Sequence, residues 1–431
     1  MEDLLIRNGL LLGASTGAQR ADIVVDKGRI VSVGAVGTMG AFRREMDASN
    51  HAVMPGFVNC HGHAAMTLLR GIGDDLPLHQ WLEEEMWPRE DRLDGEAVYW
   101  GTMLAIAEML KSGTTTFTDM YFFMDDVARA VEETGIRAVL SRGMIGTSEE
   151  EGSSRMEDSE EFVRRWHGAA GGRISVMLGP HAPYTCSETY LSRVANLSAR
   201  LAVPVQTHIS ETEHEVETML ARHGKTPVEI VRDSGLMDRP LIAAHCVDLR
   251  QGDIEILAEK EVTVAHNPGS NLKLGSGIAP IPGLLEKGVV VGLGTDGAAS
   301  NNNLDMMEEM RLAALIHKGA NRQPTLLPAE TVFSMATEAG GRALFLDDVG
   351  RLEPGCRADI VLMCLNRPHL TPANNILSHM VYAAQPSDVD TVIVDGRVLV
   401  EGGRLVELDE EKIMAEAERC ARQISGDNNG G

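Results

Sequence analysis

The sequence predicts an α/β protein built on a distorted (β/α)8 barrel of the TIM type, with a small composite β-sandwich made from both chain ends. Three observations support this fold class. Short apolar and β-branched runs alternate with helical stretches through the middle of the chain. Both ends show the alternating pattern of short strands broken by glycine. The 431 residues, 43% of them hydrophobic, can bury a barrel core and that of a second module.

The N-terminal part, residues 1–54, has the pattern of a small antiparallel β module. LLIRNGLLL and ADIVVDKGRIVSVG alternate apolar and polar residues between glycines. The same pattern returns after Gly355 in CRADIVLMCL and VDTVIVDGRVLVEGGRL, where GR and GG dipeptides indicate hairpins. We therefore predict that residues 1–54 and 356–431 form the two parts of one β-sandwich. A terminal helix, EEKIMAEAERCARQIS, is expected near the end of the second part.

The middle part, residues 55–355, has the rhythm of about eight βα units, as a TIM-type barrel requires. The predicted strands are MPGFVNC, TTTFTD, IRAVLSRG, ISVMLGP, VPVQTHIS, LIAAHC, VTVAHNP and VVVGLGTDG. A doubly wound open sheet is the alternative fold. We disfavour it because polar residues recur at the ends of the predicted strands all along this part.

Charge and cysteine usage narrow the class of protein. Lys and Arg total 39 against 63 Asp and Glu, and the net charge of -24 repels nucleic acid and anionic lipid surfaces. The chain shows neither the apolar run of roughly eighteen residues that spans a membrane nor the layout of a secretory signal at its start. The six cysteines are scattered without a C-x-x-C pair, as in reduced proteins. We expect a cytoplasmic protein that binds a small molecule and neither nucleic acid nor a membrane.

Residues with metal-ligating side chains stand at the ends of three predicted strands. His61 and His63 follow the first strand two positions apart, so both imidazoles can point to the same side. His208 closes VPVQTHIS and Asp296 closes VVVGLGTDG, at the strand ends where barrel enzymes place catalytic groups. A surface turn, a core histidine or a helix cap would explain each residue alone, but their convergence would then be a costly coincidence. The set suits one Zn2+, with Fe2+ as second choice.

Other residues at these strand ends can transfer protons or bind a substrate. Asp296 can accept a proton from a metal-activated water, and Glu211 can protonate a substrate ring nitrogen and then the leaving group. His245, at the end of LIAAHC, can orient the nucleophile. A helix N-terminal acid and a core histidine are the alternatives for Glu211 and His245. His181 ends the fourth strand and can hydrogen-bond a ring; no lysine ends it, so we expect a single metal.

The motifs PGFVNCHGH, THISETEHE, AAHC, HNPGSNLKLGSG and GTDGAASNNNLDM together resemble the amidohydrolase superfamily, specifically the 5-methylthioadenosine/S-adenosylhomocysteine deaminases. The resemblance covers nearly the whole chain. It implies hydrolytic deamination with release of ammonia, of S-adenosylhomocysteine to S-inosylhomocysteine and of 5'-methylthioadenosine to 5'-methylthioinosine. It also implies the composite sandwich beside the barrel. The implied residue roles are zinc binding by His61, His63, His208 and Asp296, N1 proton transfer by Glu211, purine binding by His181 and assistance to the hydroxide by His245.

The resemblance also implies substrate contacts outside the strand ends. Glu90 in MWPRED matches a glutamate that holds the ribose hydroxyls, and Arg142 in LSRG matches an arginine used on the substrate's tail. From the residues alone, a solvated acid and a surface arginine are the better interpretations. Trp81 is a candidate for packing on the substrate or for the core. Arg155, in the polar segment TSEEEGSSRMED, is a candidate for a second tail arginine.

Several functions stay open from the sequence. A related amidohydrolase acting on guanine, cytosine or an s-triazine would use the same centre, although Glu90 and Arg142 favour a ribosylated substrate. Preference for 5'-deoxyadenosine or adenosine would need no partner for a tail carboxylate. An inactive amidohydrolase-like scaffold is a remote alternative, because every ligand position is filled. Family analogy suggests a homo-oligomer with an even number of subunits. The polar segment 72–87 and the polar loop 146–158 are expected to cover the pocket.

Overall fold

The computed structural model describes residues 2–13, 17–35, 41–146 and 149–425, in which strands and helices alternate between two β-rich ends. The strands are β1 (Glu2–Gly13), β2 (Gly17–Asp26), β3 (Arg29–Gly34), β4 (Phe42–Asp47), β5 (His51–Pro55), β6 (Phe57–Asn59), β7 (Thr114–Tyr121), β8 (Arg137–Met144), β9 (Ile174–Val176), β10 (Gly179–Pro180), β11 (Val205–Ile209), β12 (Leu241–His245), β13 (Thr263–His266), β14 (Val291–Leu293), β15 (Ile360–Cys364), β16 (Val389–Val394), β17 (Arg397–Glu401) and β18 (Arg404–Leu405).

The helices lie mainly between the strands of the middle part. The α-helices are α1 (Leu78–Gln80), α2 (Trp87–Glu90), α3 (Gly95–Lys111), α4 (Met124–Thr134), α5 (Glu149–Trp166), α6 (Ala169–Gly172), α7 (Glu188–Leu201), α8 (Glu213–His223), α9 (Pro227–Asp233), α10 (Asp253–Glu259), α11 (Pro268–Lys273), α12 (Ile281–Glu286), α13 (Ala298–Asn301), α14 (Met306–Asn321), α15 (Ala329–Met335), α16 (Glu338–Ala343), α17 (Ile376–Tyr382) and α18 (Glu410–Ser425). A π-helix (Trp81–Met86) joins α1 to α2. Short 3-10 helices span Ala64–Leu69, Leu236–Asp238, Pro368–Leu370 and Pro386–Asp388.

The strands β6 to β14 close into a barrel of parallel strands. β6, β7 and β8 pair in chain order, β9 and β10 both pair with β8, and β11 to β14 pair in chain order. A parallel bridge between Leu178 and Val205 joins the two groups. The backbone N–H of Cys60 donates to the carbonyl of Leu293 at 2.8 Å, which closes β6 on β14. The predicted (β/α)8 barrel is confirmed, and the open-sheet alternative is wrong.

The barrel strands are almost entirely buried because both of their faces are covered. β7 and β12 are buried along their whole length. In a barrel one face of each strand points into the interior and the other packs on the helices. The carboxyl ends of all these parallel strands meet at one end of the barrel, which is where the polar side chains singled out in the sequence lie.

The two chain ends share one nine-stranded sheet, in the order β18-β17-β16-β15-β5-β1-β2-β3, with β4 also paired to β1. One set of its apolar side chains forms a core separate from that of the barrel. This core contains Leu4, Ile6, Leu11, Ile23, Val25, Ile30, Ala48, Val53, Ala358, Ile360, Leu362 and Ile393. Both chain ends contribute, so neither end could bury its apolar side chains alone.

The pairing within this sheet is mixed, whereas the sequence pattern suggested antiparallel strands. β1 pairs in parallel with β4 through its first half and with β5 through its second half. An irregularity between Ile6 and Gly9 separates the two halves of β1. Side chains alternate with the same period in parallel and antiparallel strands, so periodicity does not reveal strand direction.

The segment 146–158, predicted as a polar loop over the pocket, is largely helical. Residues 147 and 148 lie outside the described residues, and α5 begins at Glu149, so Arg155 lies on a helix. Phe162 and Val163 give α5 a buried face, and Arg165 pairs with Glu161 four positions earlier at 2.5 Å. Both features stabilise a helix. The other predicted cover, 72–87, contains α1 and the π-helix, and the predicted terminal helix is α18.

Two further observations concern the state of the cysteines and whether a helix could cross a membrane. All six cysteines are free thiols, and all but Cys364 are buried. Among the residues that the structure describes, no helix combines the length and the apolar character needed to cross a membrane.

Candidate metal and active site

Imidazole and carboxyl groups from four barrel strands meet at the carboxyl end of the barrel. The residues are His61 and His63 after β6, His208 in β11, His245 at the end of β12 and Asp296 after β14. His245 and Asp296 have left-handed backbone angles, with φ of 73° and 61°. Side chains other than glycine rarely adopt these angles, and such strained residues cluster at functional sites. The strand ends therefore turn these two side chains into the site at a cost in local stability.

The ligand atoms lie close enough together to bind one metal ion. Asp296 Oδ1 lies 3.5 Å from His61 Nε2 and 3.3 Å from His63 Nε2, and its Oδ2 lies 4.0 Å from His245 Nε2. His61, His63 and Asp296 form one group with ligand atoms within 4.8 Å of one another, and His61, His208 and His245 form a second. By distance alone, His245 belongs to the same cluster as the four predicted ligands.

The hydrogen bonds of the rings leave one nitrogen of each histidine for a ligand. His63 Nδ1 lies 2.6 Å from the carbonyl of Met120, and His208 Nδ1 lies 2.7 Å from the carbonyl of His181. A carbonyl only accepts, so Nδ1 of both rings carries a proton, and in the neutral ring Nε2 keeps its lone pair for a ligand. His61 Nε2 is buried without a hydrogen-bond partner. A cation at this point would satisfy these nitrogens.

Residues after β13 hold Asp296 and His245 in place. The hydroxyl of Ser270 donates to Asp296 Oδ2 at 2.7 Å, and Asn271 Oδ1 lies 2.9 Å from His245 Nδ1. Ser270 and Asn271 lie in the motif HNPGSN, but sequence reasoning gave them no role. These supporting contacts fix the orientation of a carboxylate and an imidazole that would otherwise rotate.

Glu211 lies directly before α8, at the edge of the cluster. Thr212 is the N-cap of this helix, and Glu215 accepts a hydrogen bond from the backbone N–H of Glu211 at 2.8 Å. Glu211 is therefore not the opening residue of the helix, which was its structural alternative. Its Oε2 lies 3.9 Å from His245 Nε2.

A cavity of about 150 Å³ opens beside the cluster and contains most of the predicted substrate contacts. Its lining includes His181, Glu211, His245, Glu90 and Trp81. Glu90 is only partly buried, and its Oε1 accepts a hydrogen bond from Tyr121 at 2.7 Å. Trp81 is only 4% exposed, so it contributes to both the core and the cavity wall.

An adjoining cavity contains the two predicted tail arginines. Arg142 and Arg155 both line it, and it shares Glu90 and Tyr121 with the first cavity. Arg142 lies 3.6 Å from Asp125 and 3.9 Å from Asp158, and its side chain is 29% exposed. The structure thus brings every predicted site residue to the ligand cluster or to one of two neighbouring cavities.

Comparison with known proteins shows the family. Residues 52–399 match the amidohydrolase family. This chain belongs to the amidohydrolase family. The 5-methylthioadenosine/S-adenosylhomocysteine deaminase of Desulforudis audaxviator is 54% identical over 98% of this chain and 99% of its own length. The 5'-deoxyadenosine deaminase of Methanosarcina mazei is 47% identical with the same coverage.

A solved structure agrees with the fold and with the chemistry of the site of this amidohydrolase. An adenosine deaminase from Xanthomonas campestris with bound zinc superposes with a TM-score of 0.93 at 36% identity, covering 98% of this chain and 99% of that one. The buried unpaired nitrogen of His61 and the set of imidazole and carboxylate donors fit a divalent metal ion. The amidohydrolase site therefore holds a divalent metal.

Burial sets the protonation states in this amidohydrolase site. It lowers the pKa of His61 and of His181 to about 4, which keeps both rings uncharged. It also raises the pKa of Glu211, and the charge of Asp296 adds to that rise. Burial would raise the pKa of Asp296 too, but the imidazoles of His61 and His63, whose Nε2 atoms lie 3.5 and 3.3 Å from Asp296 Oδ1, hold it well below its ordinary value. Glu211 thus retains its proton more readily than Asp296 does.

Proposed function

We propose that this amidohydrolase is a zinc-dependent deaminase of adenosine derivatives. Its substrates are S-adenosylhomocysteine and 5'-methylthioadenosine, which become S-inosylhomocysteine and 5'-methylthioinosine with release of ammonia. The observation that carries the proposal is the order of groups along the two cavities. The ligand cluster and Glu211 come first, Glu90 follows at the shared wall, and Arg142 lies beyond it. That order matches a reacting ring carbon, a ribose and a 5' tail.

The proposed zinc ligands are His61, His63, His208 and Asp296. When bound, the metal acidifies water and so supplies a nucleophile near neutral pH. The nitrogen and oxygen donors suit zinc, with iron(II) as second choice. Backbone carbonyls hold the rings of His63 and His208, so the Nε2 atoms of both rings already face the metal position. The deaminase therefore needs little reorganisation to bind its metal.

The acids of the site carry the protons of the proposed reaction. Glu211, protonated because it is buried, donates to N1 of the purine and makes C6 electron-poor. Asp296, which stays ionised, accepts a proton as the water oxygen forms its bond to C6. His245, held by Asn271, stabilises charge that develops on that oxygen. Glu211 then takes up the proton of the new C6 hydroxyl and passes it to the amino group, the C6–N bond breaks, and ammonia leaves. The proton held by Asp296 returns to Glu211 and resets the site.

The remaining residues bind and orient the nucleoside. His181 lies beside the cluster and hydrogen-bonds the purine, with Thr185 holding its other ring nitrogen at 2.9 Å. Glu90 accepts hydrogen bonds from the ribose hydroxyls, and Trp81 packs on the substrate. Arg142, with Arg155 as a second cation, pairs with the tail carboxylate of S-adenosylhomocysteine. Guanine and s-triazines lack a ribose and would offer Glu90 no ribose hydroxyl to bind, so we rank them lower.

A second candidate function is a preference for substrates with an uncharged 5' group, such as 5'-deoxyadenosine. Trp87, Phe122 and Phe123 line the adjoining cavity with exposed aromatic side chains. Asp125 and Asp158 also compensate part of the charge of Arg142. These features favour a methyl or methylthio group over a charged tail. The two candidates share the reaction and differ only in the tail.

The proposal also includes a small molecule as the binding partner, a cytoplasmic location and assembly into a homo-oligomer. The free thiols are consistent with a cytoplasmic enzyme. Assembly into a homo-oligomer stays a prediction from family analogy.

An ammonia-release assay on zinc-loaded protein tests the proposed function. The substrates are S-adenosylhomocysteine, 5'-methylthioadenosine, 5'-deoxyadenosine, adenosine and guanine, with the adenine-to-hypoxanthine absorbance change followed in parallel. Turnover of the adenosine derivatives without guanine supports the deaminase, and their ranking decides between the two tail preferences. No turnover of any of the five by metal-loaded protein would refute the proposal.

A further inference from the structure

We infer that Tyr121 is a positioning residue for ribose recognition, because its hydroxyl holds one carboxylate oxygen of Glu90 and leaves the other for the substrate. The inference rests on the proposed function, in which Glu90 binds the ribose hydroxyls. It adds a residue that determines specificity without carrying out chemistry.

The contact joins the barrel strand β7 to the short helix α2. Tyr121 is the last residue of β7, and Glu90 is the last residue of α2. The Tyr121 hydroxyl donates to Glu90 Oε1 at 2.7 Å, a distance typical of a charge-assisted bond from a hydroxyl to a carboxylate. Both residues line the cavity beside the ligand cluster. The orientation of Glu90 is therefore set by a residue outside its own segment.

The tyrosine is a fixed anchor. Its side chain is 5% exposed, and its ring lies 5.2 Å from that of Phe122 and 6.2 Å from that of His63. Its backbone belongs to the parallel ladder, where Tyr121 pairs with Arg142. A hydroxyl held by strand pairing and ring packing has little freedom to move. The free energy cost of orienting Glu90 is then met before the substrate arrives.

The chemistry of the pair assigns a direction to each bond. A carboxylate has two oxygens, and the hydrogen bonds among the described residues use Oε1 of Glu90 through Tyr121. Burial raises the pKa of Glu90, and the bond from Tyr121 opposes that rise, which favours the ionised form. Burial also raises the pKa of Tyr121, so its hydroxyl stays a donor. Oε2 of Glu90 is left to accept from vicinal ribose hydroxyls.

The alternative role for Tyr121 is a tether that only keeps α2 in place. A tether would support the pocket for every substrate, with or without ribose hydroxyls. A positioning role acts only on substrates that have them. The two roles differ in the ratio of kcat/KM between adenosine and 2',3'-dideoxyadenosine.

The test is Tyr121→Phe, which keeps the ring and removes the hydroxyl. We expect kcat/KM for adenosine to fall about tenfold, the effect of one charge-assisted hydrogen bond, and kcat/KM for 2',3'-dideoxyadenosine to change less than about twofold. Tyr99→Phe is the matched control, because Tyr99 makes the same 2.7 Å bond to Glu133 away from the cavity. It should leave both values unchanged.

A double-mutant cycle with Glu90→Gln tests whether the effect passes through Glu90. Glu90→Gln should itself reduce the preference for adenosine, and adding Tyr121→Phe should reduce it by less than about twofold further. If Tyr121→Phe does not fold, Glu90→Gln alone still tests the inference. An unchanged preference for adenosine over 2',3'-dideoxyadenosine in Glu90→Gln would overturn it.

The other outcomes are equally decisive. Equal losses for both nucleosides in Tyr121→Phe would show a tether and overturn the inference, and so would no loss for adenosine. Absence of adenosine turnover by the zinc-loaded wild-type protein would instead count against the proposed function.

Discussion

Replacing Glu211 by glutamine should remove proton transfer while leaving the fold and the metal site intact. The Glu211 side chain is 12% exposed and lies 3.9 Å from His245, on the rim of the ligand cluster. The contact that holds its backbone, the bond from its N–H to Glu215, does not involve the side chain. Glutamine has nearly the same volume and cannot transfer a proton. The substitution therefore isolates the chemical role of the carboxyl group.

The size of the effect follows from the proposed role. General acid–base catalysis contributes about 100-fold to 10,000-fold to a rate. At about 1.36 kcal/mol for each factor of ten, the loss corresponds to about 2.7–5.4 kcal/mol in the activation barrier. Because the barrier rises after the substrate has bound, kcat should fall much more than KM changes.

The assay is ammonia release from adenosine and S-adenosylhomocysteine, with metal content and melting temperature measured on the same preparation. Glu217→Gln is the matched control, because Glu217 lies on α8 with its side chain exposed. It should behave as the wild type in all three measurements. A Glu211→Gln protein that retains both its metal and its full rate would refute the assigned role. Loss of metal along with activity would show that Glu211 supports the ligand cluster instead.

Three further perturbations test the tail contact, the protonation of the acid and the support of the metal. Arg142→Ala should lower kcat/KM for S-adenosylhomocysteine about 10-fold to 100-fold and that for adenosine far less; equal losses would contradict a carboxylate contact. The protonated form of Glu211 is the donor and burial raises its pKa, so kcat/KM should be high at low pH and fall as pH rises through that pKa. The residual activity of Glu211→Gln should not show this fall. If the fall persists in Glu211→Gln, the titrating group is a residue other than Glu211. Ser270→Ala removes the 2.7 Å bond to Asp296 and should weaken zinc affinity about 10-fold to 100-fold in a competition titration with a chelator; unchanged affinity would mean that Ser270 does not support the ligand.

The sequence revealed the residues whose position depends on strand periodicity alone. His61, His63, His208 and Asp296 each follow or end an apolar run, and parallel strands bring such positions to one end of the barrel. The order of the strands along the chain is also their order around the barrel. Local pattern and the geometry of parallel strands were therefore enough to predict the ligand cluster.

Contacts between distant segments could not be predicted in the same way. The bond from Tyr121 to Glu90 joins residues on different elements, and its existence depends on where α2 lies over the barrel. The bond from Ser270 to Asp296 likewise depends on the exact path of the chain after β13. Sequence periodicity indicates which face of an element a side chain occupies, but it gives no information about the distance between two elements.

Two expectations about local structure were wrong, the loop at 146–158 and the antiparallel direction of β1, because both depend on packing against other segments. The polar composition of the segment that contains Arg155 predicts a loop, but packing of Phe162 and Val163 stabilises it as α5. β1 pairs in parallel with β4 and β5, although its pattern fits either direction. In this protein the sequence by itself determined the barrel and the convergence of the proposed ligands at its strand ends, because these depend on local periodicity. Only the tertiary structure decided strand direction, the cover of the pocket and the supporting hydrogen bonds, because those depend on distances between segments far apart in the chain.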